Sequence, residues 1–236
     1  MRRTLIALLA LAGGIASALA GDFADREVIG FSPDGASFAF EEYGVQDGSG
    51  FPYSNIFIID TATDQWLIDP VRLLDESETT PLQVVRSGAR RQVQPTLEQY
   101  GIAVPGSHVA ASTTEGTGEA PDRLEFQPRG TVPPSGPKMV LQIAEMPFPS
   151  DTCPAESGPY NGFQLTMTGS EGPRTLQSDT RIPGSRNCPK GYGLSDVVTY
   201  YPPGGDPVIA VFVSVYSLGF EGPNRRFIAV ATPFKE

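Results

Sequence analysis

Few residues in this chain are of types that do chemistry, and their spacing is sparse. The one histidine is His108, preceded directly by Ser107. Side chains adjacent in sequence diverge, so this pair does not form a triad, and His108 reads as a loop residue. No Gly-x-Ser-x-Gly elbow occurs, and no Ser-x-x-Lys stretch with a base partner stands out. One histidine and two cysteines expected to be bridged exclude an ordinary zinc site. Asp22, Asp25, Asp47, Asp60 and Asp64 lack the dense spacing of a calcium loop, and turn or capping roles explain them at less cost. Glu41, Glu42, Asp179, Asp196 and Glu221 are the carboxylates from which a glycosidase pair could be drawn. With 27 acidic residues in the chain, their presence carries little information. Glu41 and Glu42 must also point to opposite faces of any strand that holds them. No catalytic residue, cofactor or metal is assigned.

Binding groups are easier to find. Asp179 to Tyr192 is the most distinctive local segment. It holds Arg181, Arg186, Lys190 and Tyr192 around Cys188, and a bridged Cys188 would hold it rigid. Arg181, Arg186, Tyr192 and Tyr53 are therefore the candidate binding residues. Other aromatics near turns (Phe51, Tyr160, Tyr200 and Tyr201) fit either stacking on a ligand or covering the core edge. In an oxidising compartment the default for the two cysteines, Cys153 and Cys188, is one disulfide. Closing that loop lowers the entropy of the unfolded chain, by roughly 3.8 kcal/mol in the loop-closure model.

The compartment follows from the first twenty residues. Arg2 and Arg3 precede an apolar run, Leu5 to Leu11, and a small-residue tail that ends in Ala18-Leu19-Ala20. This is the pattern of a cleavable secretory signal, with Gly21 as the mature N-terminus. Residues 1–20 are read as that signal and 21–236 as one secreted, mainly β domain. The first cysteine lies far from the cleavage site, which excludes lipoprotein attachment. No later segment is apolar enough to span a membrane. Loss of the two signal arginines takes the formal net charge from −10 to −12. Such a surface repels phosphate backbones, so nucleic acid is not an expected partner.

These groups must be positioned by a turn-rich scaffold. Gly and Pro (26 and 23 residues) make up about a fifth of the chain, well above the average of roughly 12%. Short apolar runs between the turns predict a mainly β fold with one helical segment at about 79–100. The architecture is expected to be antiparallel meanders, either partly propeller-like or sandwich-like. Val28 to Phe31, Ala36 to Tyr43, Ser54 to Asp60 and Gln65 to Ile68 read as strands. Ser32-Pro33-Asp34-Gly35 is a turn in which Pro sets φ and Gly supplies φ > 0. Leu82, Val85, Ala89, Val93, Leu97 and Tyr100 line one helical face. Arg86, Arg90 and Arg91 read as its solvated side. Pro95 should kink or divide this helix, and Gly101 should end it. Ala103 to Asp122 reads as an exposed loop. Met139 to Glu145 and Phe163 to Thr168 read as paired strands flanking the Cys153 loop, with Asn161-Gly162 as a hairpin turn. Val197 to Gly205, Val208 to Tyr216 and Phe227 to Ala231 form a faint second copy of the N-terminal meander.

Phe31-Ser32-Pro33-Asp34-Gly35, the aromatic strand after it, Asn55 to Asp60 and Trp66 together resemble one blade of a TolB-like β-propeller. Propellers need about four blades, and four copies are not found. Over most of its length the chain also resembles a bacterial family of predicted secreted proteins of unknown function. Gly30 to Gly35 and on to Asp60, Tyr100-Gly101-Ile102, Ile182 to Pro189 with Gly191-Tyr192, and Gly219 to Phe227 carry this resemblance. It implies a Gram-negative, periplasmic setting and brings no catalytic residues with it.

The expected function is non-enzymatic binding of an envelope protein or glycan ligand through loops on a β scaffold. The alternative is a carboxylate-dependent hydrolase acting on glycans or other envelope substrates through Asp179 or Glu221. Intact-mass analysis of native protein should find a chain that starts at Gly21, with neither cysteine open to alkylation until reductant is added.

Overall fold

The computed structural model describes residues 21–112, 120–220 and 222–236. The expected signal at 1–20 lies outside the described residues. Among these described residues, thirteen strands, numbered in chain order, form three antiparallel sheets, with one α-helix, α1 (Leu82–Tyr100). The N-terminal sheet is a meander of β1 (Asp25–Phe31), β2 (Ser37–Val45), β3 (Pro52–Asp60) and β4 (Gln65–Trp66). In it β5 (Val71–Leu74) also pairs with β3. β6 (Ser107–Ala111) belongs to a central sheet, and β7 (Arg123–Phe126), β8 (Met139–Phe148), β9 (Tyr160–Gly169) and β10 (Gly172–Ser178) form a third, in the order β10-β9-β8-β7. β11 (Pro189–Tyr200), β12 (Val208–Leu218) and β13 (Pro223–Pro233) complete the central sheet, in the order β13-β12-β11-β6.

The layering follows from which strands are apolar on both faces. In β12, Ile209, Val211, Val213 and Val215 pack on the third sheet, against Leu141, Phe163 and Leu165 among others. The alternate residues Val208, Ala210 and Phe212 pack on the N-terminal sheet, against Phe31, Phe38 and Phe40. A strand whose two faces are both apolar is stable only between two layers. The fold is therefore a stack of helix, N-terminal sheet, central sheet and third sheet. Of the two arrangements expected, the stacked one is formed. The two similar meanders, β1 to β3 and β11 to β13, pack face to face. Phe31 stacks on Tyr200 at 5.3 Å, and the Tyr200 hydroxyl donates to the Pro33 carbonyl in the facing corner turn (2.8 Å).

α1 closes the outer face of the N-terminal sheet. Val85, Ala89, Val93 and Leu97 are buried, on the periodicity read from sequence, against Ala39, Ile56 and Ile58. Gly101 ends the helix in the left-handed conformation at φ 63°. The expected division at Pro95 does not occur. Pro95 lies on the exposed side, so the carbonyl that loses its partner stands where solvent can reach it. The arginines are not a solvated face either. Glu41 is fully buried beneath the helix, and Arg86 and Arg90 both bond it, at 3.0 and 2.7 Å. Arg91 alone is exposed. Burial works to raise the Glu41 pKa, but its bonds from Arg86, Ser54 and Arg90 outweigh burial and hold it below the ordinary carboxylate value. The prediction that Glu41 and Glu42 face opposite sides holds, because Glu42 turns toward the central sheet and accepts from the Phe227 N–H (2.6 Å).

Three further expectations are corrected. Ala103 to Asp122 is not all loop, since β6 pairs with β11 through Ala110 and Val197. The fourth N-terminal strand ends at Trp66 rather than Ile68. Asn161-Gly162 is not a turn but lies within β9. Asn161 donates to Glu145 and to the Lys190 carbonyl (2.9 and 3.0 Å). At Gly162 a Cβ would meet Phe148 at 2.8 Å, so the strand needs glycine there for close approach. The disulfide between Cys153 and Cys188 is formed.

Phe212 is fully buried and meets Phe38 and Phe40 edge-on at 6.0 and 5.2 Å. Phe212→Ala should lower unfolding free energy by about 3–5 kcal/mol in urea titration, as a cavity between two stacked sheets cannot collapse.

Candidate functional site

The site is built on an edge. β13 is the outer strand of the central sheet, with β12 on one side only. The Phe234 N–H donates to the Pro207 carbonyl (2.8 Å), next to the Val208–Pro233 pair, and this sets the phase of the ladder. Hydrogen-bonded pairs alternate from there. Arg225, Phe227, Ala229 and Ala231 consequently turn their main-chain groups away from β12.

Half of these outward groups are taken. Arg225 exchanges bonds with the Asp22 carbonyl and the Ala24 N–H (2.9 and 3.0 Å). The Phe227 N–H donates to Glu42, and the Ala231 N–H donates to Asp64 (2.9 Å). Between them, the N–H and C=O of Ala229 have no hydrogen-bond partner among the described residues.

Ala229 faces a slot. On the side of the N-terminal sheet lies a hollow of about 240 Å³, with Asn55, Phe57, Trp66 and Arg72 on one wall and Arg226 and Ile228 on the other. The turn Ser185 to Asn187 also lines it. On the side of the third sheet a second hollow, about 320 Å³, is lined by Asp64, Gln177, Asp179 and Pro183. The two share Trp66, Ser185, Arg186, Ile228 and Ala229, so they flank one stretch of strand edge. Trp66 is 44% exposed. Arg72 lies over its ring at 5.4 Å and has no carboxylate partner among the described residues.

The carboxylates around the slot are occupied. Glu42 accepts from the Asn55 amide (3.1 Å) with one oxygen and from the Phe227 N–H with the other. Burial drives its pKa up, and these bonds and Arg226 offset only part of that. Burial also pushes Asp64 up to about 6, against the lowering effect of the Ala231 N–H and Arg186. Asp179 accepts from the Phe163 N–H (2.8 Å) and from both terminal nitrogens of Arg186.

Of the residues picked from sequence, Arg186 lines the slot and Tyr192 lies beside it. The Arg186 guanidinium donates to the Tyr192 hydroxyl (3.3 Å) and sits over the Phe163 ring at 4.7 Å. Tyr192 is buried and donates to the Asn161 carbonyl (2.9 Å), and burial pushes its phenol up to about 12. These two brace the loop from beneath. Tyr53 is buried in the N-terminal sheet, under Arg226, and donates to Asp22 (3.3 Å). Arg181 is exposed and lies outside the slot lining. His108 is on β6, Asp196 is buried and ion-paired with Arg26, and Glu221 lies outside the described residues. Sequence reasoning missed Trp66, Arg72 and Asn55 as a wall. The available signal was a lone tryptophan beside a turn, followed by the alternating segment Val71-Arg72-Leu73-Leu74.

A family model described as predicted secreted protein (DUF2259) matches residues 39–232. The chain belongs to that family. The DUF2259 match runs from β2 into β13 and includes the slot. Comparison with curated proteins and with solved structures returns no match. Among the described residues, no helix of this DUF2259 member is long and apolar enough to cross a membrane, and no cluster of metal-ligating side chains forms.

The raised pKa of Asp64 predicts a pH signature. Its ordinary value is 3.8, so between about pH 4 and 6 the folded state holds a proton that the unfolded state has released. Its contribution to stability is therefore present at low pH and is lost as pH rises through about 6. Asp64→Asn keeps an acceptor for the Ala231 N–H without a charge. The stability difference between Asp64→Asn and wild type should grow as pH rises from 4 to 6 and level off above 7 in urea titrations.

Proposed function

We propose that this DUF2259 protein is a non-enzymatic binding protein of the periplasm of a Gram-negative bacterium, which takes its ligand in the slot before the β13 edge. One observation carries the reading. The slot combines an exposed aromatic surface, an uncommitted guanidinium and uncommitted main-chain groups at Ala229, while every carboxylate beside it is already bonded. Groups free to recognise are present, and groups free to transfer protons are not.

The hydrolase reading draws on the raised pKa values of Glu42 and Asp64, which flank the slot. The strand amides they grip, Phe227 and Ala231, stand four residues apart, about 13 Å along a strand. Glycosidase carboxylates work at separations of roughly 5–9.5 Å. Spacing and occupancy both favour binding. The Arg181–Tyr192 loop enters the proposal as one wall of the slot, through Arg186, and as a route by which Arg181 meets a larger partner.

Thermal-shift screening against sugars, cell-wall fragments and peptides tests this. A ligand that raises the melting temperature of wild type should lose most of that shift with Trp66→Ala and with Arg72→Ala. Arg91→Ala, on the far side of the helix, should keep it. Turnover of glycoside or ester substrates that is lost in Glu42→Gln would overturn the reading.

A further inference from the structure

We infer that the ligand of this slot is an extended peptide segment bearing an acidic side chain, which adds to the open edge of β13 as a short extra strand. The inference rests on the binding reading above and names its ligand class.

Ala229 offers one N–H and one C=O, side by side and outward, with Phe212 of β12 opposite on the inner side. Another strand presents the complementary pair at the same spacing. A saccharide has no such constraint and would be met by side chains instead. The window is also bounded. Glu42 occupies the Phe227 N–H and Asp64 occupies the Ala231 N–H. The open edge is thus about 13 Å long, room for three or four extended residues. Carboxylate clamps at both ends stop the edge from pairing with a long strand, which guards it against edge-to-edge aggregation.

The walls supply side-chain selectivity. Successive side chains of an added strand alternate between the two hollows. On one side they meet Phe57 and Arg72, on the other Gln177 and Pro183, with Trp66, Ser185 and Arg186 common to both. Arg186 is already neutralised by Asp179. Arg72 is not neutralised, so it supplies the charge complementarity, in a chain whose net charge of −10 otherwise disfavours acidic ligands. A carboxylate reaching Arg72 would lay its methylenes on Trp66. Steric access is kept because the residues at the lip, Ser185 and Asn187, are small or exposed.

The position allows a direct test. The Ala229 N–H makes no ladder bond, so Ala229→Pro removes one recognition group while leaving the β12 pairing intact. The probe is a library of acetylated, amidated pentapeptides with a fixed central aspartate or glutamate and β-branched or aromatic neighbours, read by fluorescence polarisation. Members are expected to bind wild type, and Ala229→Pro and Arg72→Ala should each weaken them at least tenfold. Methylating the peptide's central amide nitrogen should do the same, and needs no change to the protein. Replacing the central acid by its amide should weaken binding to wild type and leave binding to Arg72→Ala unchanged. Library members that bind equally well to Ala229→Pro and in N-methylated form would overturn strand addition. So would a complete lack of binding at millimolar peptide. If sugars or cell-wall fragments instead give a shift that depends on Trp66 but not on the Ala229 amide, the slot is a binding site and only the peptide assignment fails. Loss of every Trp66-dependent shift fails both. A wild-type dimer that Ala229→Pro converts to monomer in sedimentation would make a second copy the occupant and overturn the assignment.

Discussion

Burial of the central sheet on both of its faces is the constraint on which the rest of this structure depends. β12 contributes four aliphatic residues to one core and Val208, Ala210 and Phe212 to the other. Fully burying a large apolar side chain is worth roughly 1.5–3 kcal/mol. Six such positions on a single strand outweigh any single polar contact among the described residues. The flanking sheets are held at a sheet-to-sheet distance by this strand, and the slot exists because the N-terminal sheet and the 183–187 turn overhang the last strand without closing on it.

Burial at this depth creates polar demands that specific residues meet. Glu41 is taken out of water beneath α1 and would be costly unpaired. Arg86 and Arg90 reach it from successive turns of one helix, so the helix cannot slide along the sheet without stranding a charge. Glu42, one residue on, caps a main-chain N–H of β13 across the layer interface. Two adjacent glutamates thus tie one strand to the helix on one side and to the central sheet on the other. On the far side of the slot, Asp179 and Arg186 neutralise each other and carry the disulfide-tethered loop into place.

Much of the scaffold was legible in the residues themselves. The α1 face was readable because the 3.6-residue period is local, and the buried set matches it at Val85, Ala89, Val93 and Leu97. The paired strands around the Cys153 loop and the disulfide were readable for similar reasons of pattern and pairing. β6 was not, because His108 to Ala111 is a short, small-residue stretch that becomes a strand only when β11 offers it an edge. Asn161-Gly162 carried a turn signal that lost to packing, since Phe148 and Asp179 leave room for glycine and nothing larger. At the slot, the basic loop was visible in the sequence and the wall it faces was not. Arg186 is paired with Asp179 and Tyr192 is buried, and the exposed groups of the slot are Trp66 and Arg72, whose isolation in sequence gave no sign of a shared wall.

What the sequence alone determined is the set of local preferences: where apolar residues alternate, where a helix must start and stop, which two sulfurs can join. These depend on neighbours within a few residues. Which strand edge stays open was decided only by the tertiary structure. Glu42 and Phe227 are 185 positions apart and Asp64 and Ala231 are 167 apart. Whether an amide in β13 is capped or free depends on how two sheets come to rest on β12. That is a property of packed layers, and no local pattern encodes it.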